Sequence, residues 1–429
     1  MKKALPYLIS LVGGWLVFSL LVKSQFDSDA VAQSILTPQE ESAIQSQQKI
    51  LKEIMELYAT QALEPPKDLV ACAQEIFAMR RNGKCRDKFT CYLSPEDAKR
   101  KKEDFAGQFG GIGIIIIQKD NRVIVKELIA GAPAEQAGIK PGDVIVRVGD
   151  KKPADVQEAA DLMRGKIGTK VTVTVLRGKN QKELAFTLTR KKIVVQSVKW
   201  SIAPGNPNIG VVAISRFDYS VPDEFYDALD EFENRQVHGI VIDLRDNPGG
   251  LVNSATGLLG YIREAGDRIL TIRKRHKEEI IPDREPSTLA ELLHDRKVLV
   301  LINEYSASAS EIVAGAMKDW GYTIAGEKSY GKGVGQTAFD LSDGGQLWLT
   351  TFEFLVGNRK TPIRDKGVVP TVEIKSPKEC MKVCGGKEIA EEYKGGKKDI
   401  QLEKAIEILN ACVKRNSESK NCDPVVEKK

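Results

Sequence analysis

The sequence predicts an α/β protein with a mixed sheet, joined to a separate β-rich unit and flanked by helical segments at both ends. Strand-like and helix-like runs alternate between residues 192 and 375, which is typical of βαβ units around a parallel core. Alternating strands dominate residues 105–191, and apolar residues recur at helical spacing before them. We therefore predict five segments, which are residues 1–32, 37–104, 105–191, 192–375 and 376–429.

The first segment contains an uncharged run, residues 4–22, that follows Lys2 and Lys3. A run of this length is long enough to cross a bilayer, and the flanking lysines place the rest of the chain outside the cytoplasm. Cleavage after Ala32 is the alternative. We expect a periplasmic or otherwise extracytoplasmic protein, anchored to the inner membrane by residues 4–22.

The charge and cysteine patterns exclude two classes of site. The formal net charge is +5, with acidic and basic residues interspersed, so nucleic acid is not an expected partner. The seven cysteines lie near the two ends and lack zinc-site spacing, so no metal is expected. The late four allow two disulfides in three pairings, and the early three leave one thiol over or are simply small buried residues. These cysteines are Cys72, Cys85, Cys91, Cys380, Cys384, Cys412 and Cys422.

The elements before residue 192 follow from local patterns. Helical spacing in "ILKEIMELYATQAL" and "LVACAQEIFAMRR" is interrupted by "EPPKD". Two β-runs then flank the turn "KDN", and a short helix bounded by proline precedes "KPGD" and another strand. "ADVQEAADLMRGKIG" predicts an amphipathic helix, and "KVTVTVLRG" and "KELAFTLTR" predict strands.

Residues 105–191 resemble a PDZ domain, because "GIGI", "GAPAEQAGIKPGD", a helix and "GTKVTVTVLR" occur in that order. The resemblance implies that a target peptide adds as a strand beside the second strand of the domain. Its terminal carboxylate would be held by the backbone amides of Ile112, Gly113 and Ile114, where glycine permits close approach. The alternative for "GGIGIIII" is a hairpin start followed by a buried strand.

Two strand ends in residues 192–375 attract attention, "DLRDNPGG" and "NEYSASASE". Sheets with parallel strands carry their sites at such ends. We expect the β-runs near residues 337–356 to extend the same sheet. "SASAS" places Ser306, Ser308 and Ser310 at a strand-to-helix turn, where a hydroxyl and the amides of a helix amino end suit acyl transfer. A helix-capping role for Ser308 or Ser310 is the alternative.

A serine nucleophile needs a general base to take its proton. His238, His276 and His294 are not beside a catalytic turn, and the G-x-S-x-G motif is absent, which leaves a Ser-His-Asp triad as a weakly supported alternative. Lys332 lies in "GEKSYGKGVGQ", which fails as a phosphate-binding loop because Gly333 occupies the Ser/Thr position. A Ser-Lys base must lower its pKa by roughly three units, which demands a buried pocket.

Several motifs together resemble the C-terminal processing peptidase (tail-specific protease) family over residues 40–411. They are "KFTCYLSPED", the PDZ-like segment, "GIVIDLRDNPGGL", "NEYSASASEIVAGAMKDWGYTIAGEKSYGKGVGQ" and "DIQLEKAIEIL". The resemblance implies a crotonase-like (ββα-type) protease core and no metal or organic cofactor.

By the same resemblance, Ser308 is the nucleophile, Lys332 the base and Gln336 the residue that orients the lysine. The amides of Ala309 and Gly250, the latter preferred over Gly249, would bind the oxyanion. Glu311 and Asp319 match acidic positions whose roles stay open. Ser308 and Lys332 are 24 residues apart instead of 25, which indicates a loop shortened by one residue near residues 319–322.

The sequence therefore predicts an exported Ser-Lys endopeptidase that binds apolar carboxyl-terminal tails of proteins and cleaves the polypeptide through an acyl-enzyme. A catalytically silent PDZ scaffold that holds tails for a partner protease is the alternative. A homo-oligomer or an adaptor protein is left open.

Overall fold

The computed structural model describes residues 38–77, 87–178, 180–264, 266–281, 293, 296–376, 399–415 and 419–423. The expected membrane segment, residues 4–22, and the alternative cleavage site at Ala32 lie outside these ranges. Within them, no helix combines the length and the apolar character that a bilayer crossing requires.

The amino-terminal region packs two helices against a short strand and a third helix. Its elements are α1 (Pro38–Gln61), α2 (Leu69–Phe77), β1 (Cys91–Leu93) and α3 (Pro95–Phe105). The predicted break at "EPPKD" separates α1 from α2. Buried Ile54 and Tyr58 of α1 form one apolar cluster with Ala73 of α2 and with Leu347 and Leu349 from the protein core. The lead-in helices are thus packed onto the core.

The next region has its own apolar core and the predicted strand order. Its elements are β2 (Gln108–Gly111), β3 (Ile114–Lys119), β4 (Arg122–Leu128), α4 (Pro133–Gln136), β5 (Val144–Val148), α5 (Val156–Met163), β6 (Lys170–Arg177), β7 (Lys182–Thr189) and β8 (Lys191–Val194). The antiparallel sheet runs β3-β4-β5-β6-β7, and β2 pairs with β8. The "KDN" turn is confirmed, since Asp120 and Asn121 have φ of 48° and 57°, as a tight hairpin between β3 and β4 needs.

The remaining elements build the largest unit. They are β9 (Val198–Ala203), β10 (Asn206–Ile214), α6 (Val221–Asn234), β11 (Gly239–Asp243), α7 (Val252–Leu259), β12 (Leu270–Lys274), β13 (Glu278–Ile280), β14 (Lys297–Ile302), α8 (Ala309–Asp319), β15 (Thr323–Gly326), β16 (Val334–Asp340), β17 (Gln346–Val356), β18 (Thr361–Pro362), β19 (Val372–Glu373) and α9 (Ile400–Arg415).

The central sheet is mixed and has the order β9-β10-β11-β14-β15-β19. Strands β10, β11, β14, β15 and β19 are parallel, and β9 is antiparallel to β10. Ile240 and Ile242 face the cluster that contains helices α6, α7 and α8, whereas Val241 and Leu299 face helix α9. Both faces are covered by helices, which explains the nearly continuous apolar runs of these strands.

The prediction that residues 337–356 extend this sheet is wrong. Strands β16 and β17 belong to a second, antiparallel sheet in which β17 pairs with β1, β12, β16 and β18. The partners of β17 lie up to about 250 residues away in the sequence, as Cys91 opposite Trp348 illustrates. Local patterns predict a strand but not its neighbours, which this sheet takes from three regions of the chain.

Two described cysteines near the carboxyl end, Cys412 and Cys422, form a disulfide. Cys72 is also disulfide-bonded, and Cys91 is partly buried. Cys85, Cys380 and Cys384 lie outside the described residues.

Candidate active site

The two strand ends singled out in the sequence meet in space. The turn after β14 is bonded to the turn after β11, since the Ala307 amide donates to the Asn247 carbonyl at 3.0 Å. The hydroxyls of Ser306 and Ser310 donate to the carbonyls of Leu244 and Asn247 at 2.8 and 3.0 Å. Because β11 and β14 are parallel neighbours, their carboxyl ends lie at one edge of the sheet.

A buried ion network supports the turn after β11. The Arg245 guanidinium donates to the Asp243 carboxylate at 2.7 Å and to the Asp399 carboxylate at 2.8 Å. All three side chains are at most 5% exposed. The network ties the strand end to the segment that opens α9, and removing one partner of such a buried pair is strongly destabilising.

Ser308 is the one serine of "SASAS" that faces the cavity. It lines a cavity of about 580 Å³ and is 8% exposed, whereas Ser306 and Ser310 are fully buried with their hydroxyls bonded to backbone carbonyls. Ser308 occupies the N-cap position of α8, as the capping alternative supposed, with φ of 55° and ψ of −112°. A positive φ outside glycine is strained, and such strain clusters at functional sites.

The strain at Ser308 predicts a stability effect. We expect Ser308→Gly to raise the free energy of unfolding by about 1 kcal/mol relative to Ser308→Ala, because glycine adopts positive φ without a Cβ penalty. Thermal denaturation of the two variants measures the difference. Equal melting temperatures would contradict a strained serine.

Two backbone amides near Ser308 make no hydrogen bond within the described residues. Neither the Ala309 amide, the first of helix α8, nor the Gly250 amide donates to an acceptor among the described residues. The Gly249 amide, in contrast, donates to Asn247 Oδ1 at 2.9 Å. Of the two glycine amides, that of Gly250 is therefore the one available to bind an anion, as the prediction of its role requires. Position 249 must be glycine for a steric reason, because a Cβ there would lie 2.7 Å from the Ser308 Cβ.

Lys332 lies in the same cavity with its amine held by Gln336. Its Nζ donates to Gln336 Oε1 at 3.0 Å and lies 4.8 Å from the centroid of the Phe89 ring. Gln336 is oriented in turn by its Nε2 bond to Thr350 Oγ1 at 3.1 Å. Among the described contacts, no hydrogen bond joins Lys332 to Ser308, and catalytic bonds are often looser before substrate binds.

The pKa of Lys332 is lowered from its ordinary value of 10.5, chiefly by burial and then by the positive charge of Lys101. Asp87, Cys91 and Glu311 act in the opposite direction and are the smaller effects. A lowered pKa increases the fraction of neutral amine at a given pH, and only the neutral amine accepts a proton.

Glu311 joins the serine turn to the lysine loop. Its Oε2 accepts from the amides of Ser308 and Lys332, both at 2.8 Å. Its Oε1 accepts from the Ser329 hydroxyl and the Gly331 amide, both at 2.6 Å. The side chain is fully buried, and burial raises the pKa of Glu311 while the four donors oppose the rise. Glu311 therefore fixes the turn that carries Ser308 and the loop that carries Lys332 relative to each other.

The glycines around Lys332 allow close packing against a segment that the sequence did not indicate. A Cβ on Gly333 would lie 2.0 Å from the Arg364 amide nitrogen, and the nearest neighbours of Gly331 are Asp365 and Gly367. These glycines let the loop pack against residues 363–367. The connection of this loop to Ser308 is made by Glu311.

The histidines and Asp319 lie away from this chemistry. His238 and His276 are exposed and do not line the cavity, and His294 lies outside the described residues. Asp319, at the end of α8, accepts from the Asn358 amide at 2.6 Å and from Arg359 Nε at 2.6 Å. Its contacts stabilise the turn after β17, which indicates a structural role.

The predicted peptide-binding amides lie beside an open sheet edge. Among the strands of the described ranges, β3 pairs with β4 alone, so its other edge is available to an added strand. The carbonyls of Ile112 and Gly113 accept from Ala134 and Ile129, while the amides of both residues donate to no described acceptor. Gly113 has φ of 77°, and a Cβ there would lie 2.2 Å from the Ala132 Cβ. Ile114 opens β3.

Several cavity residues were not found from the sequence. Phe89 and Lys101 line the cavity, where the Phe89 ring lies beside the Lys332 amine and the charge of Lys101 acts on that amine. Thr350, later in the sequence, accepts a hydrogen bond from Gln336. Phe89 and Lys101 lie in or just after the "KFTCYLSPED" motif, which was the available signal for this wall of the cavity. The described residues contain no cluster of three or more potential metal ligands.

Comparisons with known proteins agree with this architecture. Residues 208–374 match the family model described as Peptidase family S41, and residues 110–188 match that of the PDZ domain. The chain thus contains a domain of peptidase family S41. A CtpA-like serine protease of Staphylococcus saprophyticus is 33% identical over 76% of this chain, and one of Staphylococcus epidermidis is 33% identical over 68%.

This chain spans 66% and 59% of the length of those two relatives. A solved S41 protease from Bacteroides fragilis superposes with a TM-score of 0.52 at 17% identity, covering 84% of this chain and 97% of the other. That likeness concerns the fold alone. The fold predicted from the sequence, a mixed α/β core with a PDZ domain and helical end segments, is confirmed.

Proposed function

We propose that this protein is a serine endopeptidase in which Ser308 is the nucleophile and Lys332 the general base. The observation that carries the proposal is the junction at Glu311, whose carboxylate binds the amides of both residues at 2.8 Å and fixes them at one cavity. The lowered pKa of Lys332 supports the role of base. A binding scaffold would not require this arrangement.

In the proposed reaction, Ser308 Oγ forms a bond to the carbonyl carbon of the substrate as Lys332 Nζ takes the hydroxyl proton. The Ala309 and Gly250 amides stabilise the oxyanion. The C–N bond then breaks, and Lys332 returns the proton to the leaving amine. Lys332 then takes a proton from water, and the oxygen of that water forms a bond to the carbonyl carbon of the ester. The ester C–O bond breaks, Lys332 returns the proton to Ser308 Oγ, and the carboxyl product leaves. Gln336 keeps the amine directed into the cavity.

We propose further that the PDZ domain binds an apolar carboxyl-terminal tail along β3, with the terminal carboxylate at Ile112, Gly113 and Ile114. Two ion pairs join the PDZ domain to helix α3, which borders the cavity. Arg100 of α3 bonds Asp161 of α5 at 2.9 Å, and Arg164, just after α5, bonds Asp104 of α3 at 3.0 Å. Asp104 lines the catalytic cavity, so tail binding is positioned to influence it.

The test is cleavage of an unfolded protein with an apolar carboxyl end by the full-length chain in detergent. We expect cleavage that falls at least tenfold when the last residues of the substrate are charged, the range of a lost specific interaction. Tail binding without cleavage would favour the PDZ scaffold instead. Loss of cleavage on replacing His238, His276 or His294 by alanine would favour the Ser-His hydrolase.

We also propose that the chain is exported and anchored to the inner membrane by residues 4–22. The uncharged run and its flanking lysines support this. Protease accessibility in spheroplasts tests the orientation, and carbonate extraction tests the anchor. Protection from added protease in intact spheroplasts would contradict an extracytoplasmic location.

A further inference from the structure

Lys101 is a charged residue of the catalytic cavity that the reaction above does not use. It lies on α3, is exposed, and lines the cavity together with Ser308 and Lys332. Its Nζ lies 5.0 Å from the centroid of the Phe105 ring and 5.4 Å from that of the Trp348 ring. These rings are themselves stacked at 5.7 Å. The ammonium group is thus held at the cavity rim by an aromatic wall.

The other charged residues of the rim already have partners. Asp104 is paired with Arg164 at 3.0 Å, and Arg216 with Asp218 at 3.4 Å. Lys101 has no carboxylate partner within the described part of the chain, and its contacts there are with the two aromatic rings. When Lys332 is neutral, as catalysis requires, Lys101 is the cavity charge that an incoming polypeptide can pair with.

We propose that Lys101 determines specificity by receiving a carboxylate of the bound polypeptide close to the bond that Ser308 attacks. This inference rests on the proposed protease function. The carboxylate belongs to an aspartate or glutamate side chain, because the proposed site for the terminal carboxylate is in the PDZ domain. Phe105 and Trp348 contribute an apolar surface for the methylene groups of that side chain.

The position of Lys101 near Lys332 also affects the proposed proton transfer from Ser308 to Lys332. The charged or titratable groups that act on Lys332 are Lys101, Asp87, Cys91 and Glu311, and Lys101 is the one that lowers its pKa. Removing the Lys101 charge therefore raises the pKa of Lys332. In a plot of kcat/KM against pH, the acid limb of Lys101→Gln should lie at higher pH than that of the parent. A side chain with a purely structural role would not move the limb.

The test compares three peptides built on one bond cut by the parent, measured with the full-length chain at a pH on each variant's plateau. The first peptide carries glutamate next to the cleaved bond, and the second carries glutamine at the same position. The third ends at that position, so that its terminal carboxylate takes the place of the side-chain carboxylate. We expect the parent to prefer glutamate over glutamine about fivefold in kcat/KM, the range of a partly exposed ion pair. Preference for the third peptide alone would assign Lys101 to chain ends and overturn the side-chain proposal.

The variants assign the preference to one residue. Lys101→Gln should lose it, Lys101→Glu should reverse it, and Lys101→Arg should keep it, which shows that the cavity is intact. Lys99→Gln, a change of an exposed lysine on the same helix outside the cavity, should behave as the parent. An unchanged preference in Lys101→Gln overturns the inference alone. Failure of the parent to cleave any peptide overturns the proposed function as well.

Discussion

Replacing Lys332 by methionine or by arginine is expected to lower kcat by about a thousandfold or more, the range of a lost general base. Methionine fills similar space beside Phe89 but cannot accept a proton. Arginine keeps the positive charge over that ring, yet stays protonated at any pH the protein tolerates. A structural cation at position 332 would be rescued by arginine, whereas a base would not. Single-turnover cleavage assays measure the loss.

The matched control is Lys328→Ala, which removes an exposed lysine from the same loop and should leave kcat within about twofold of the parent, as for surface substitutions away from the site. Activity of the parent should rise with pH, because Lys332 is inactive while protonated and becomes a base above its pKa. Since burial lowers that pKa below 10.5, the rise should occur below the range of an ordinary lysine. Substantial activity in Lys332→Arg would show that the base is misassigned.

The sequence was sufficient to place the chemistry at two strand ends, because parallel neighbours end at one edge of a sheet. It was not sufficient to select one serine among three from local pattern alone. The hydroxyls of Ser306 and Ser310 are bonded to carbonyls 62 and 63 residues earlier, and those contacts exist only after β11 and β14 pair. Selecting Ser308 therefore depended on the resemblance to a family.

The wall of the cavity was the least predictable part. Phe89 precedes β1, Lys101 lies on α3 and Trp348 on β17, and their meeting depends on β1 pairing with β17. The same long-range pairing placed β16 and β17 in a second sheet, contrary to the prediction. Side-chain periodicity reports which face of an element is buried, but it carries no information on which distant strand covers that face.

Because Glu311 holds both the Ser308 and the Lys332 amides, its replacement should lower both activity and stability. Glu311→Gln is expected to lower kcat by about a hundredfold, on the scale of disturbed positioning in an active site, and the free energy of unfolding by about 3 kcal/mol. Four donors converge on the two carboxylate oxygens, from Ser308, Ser329, Gly331 and Lys332. Glutamine keeps one acceptor oxygen and turns an NH₂ group toward the other two donors. With the NH₂ group at the Oε2 position, the amides of Ser308 and Lys332 lose their shared acceptor; with it at the Oε1 position, the Gly331 amide loses its acceptor. Either change loosens the lysine loop and displaces Lys332 from Ser308.

Asp319→Asn is the matched control, since Asp319 is a buried acid on the same helix that also accepts backbone and side-chain donors, at 2.6 Å from the Asn358 amide and from Arg359. Its contacts lie at the turn after β17, so we expect a loss of stability with kcat nearly unchanged. Urea denaturation and kcat, measured on both variants under conditions where each is fully folded, separate positioning from folding. If Glu311→Gln lost stability but kept the parent's kcat, Glu311 would be structural in the same sense as Asp319. A loss of kcat in the folded Glu311→Gln variant alone is what its position between Ser308 and Lys332 predicts.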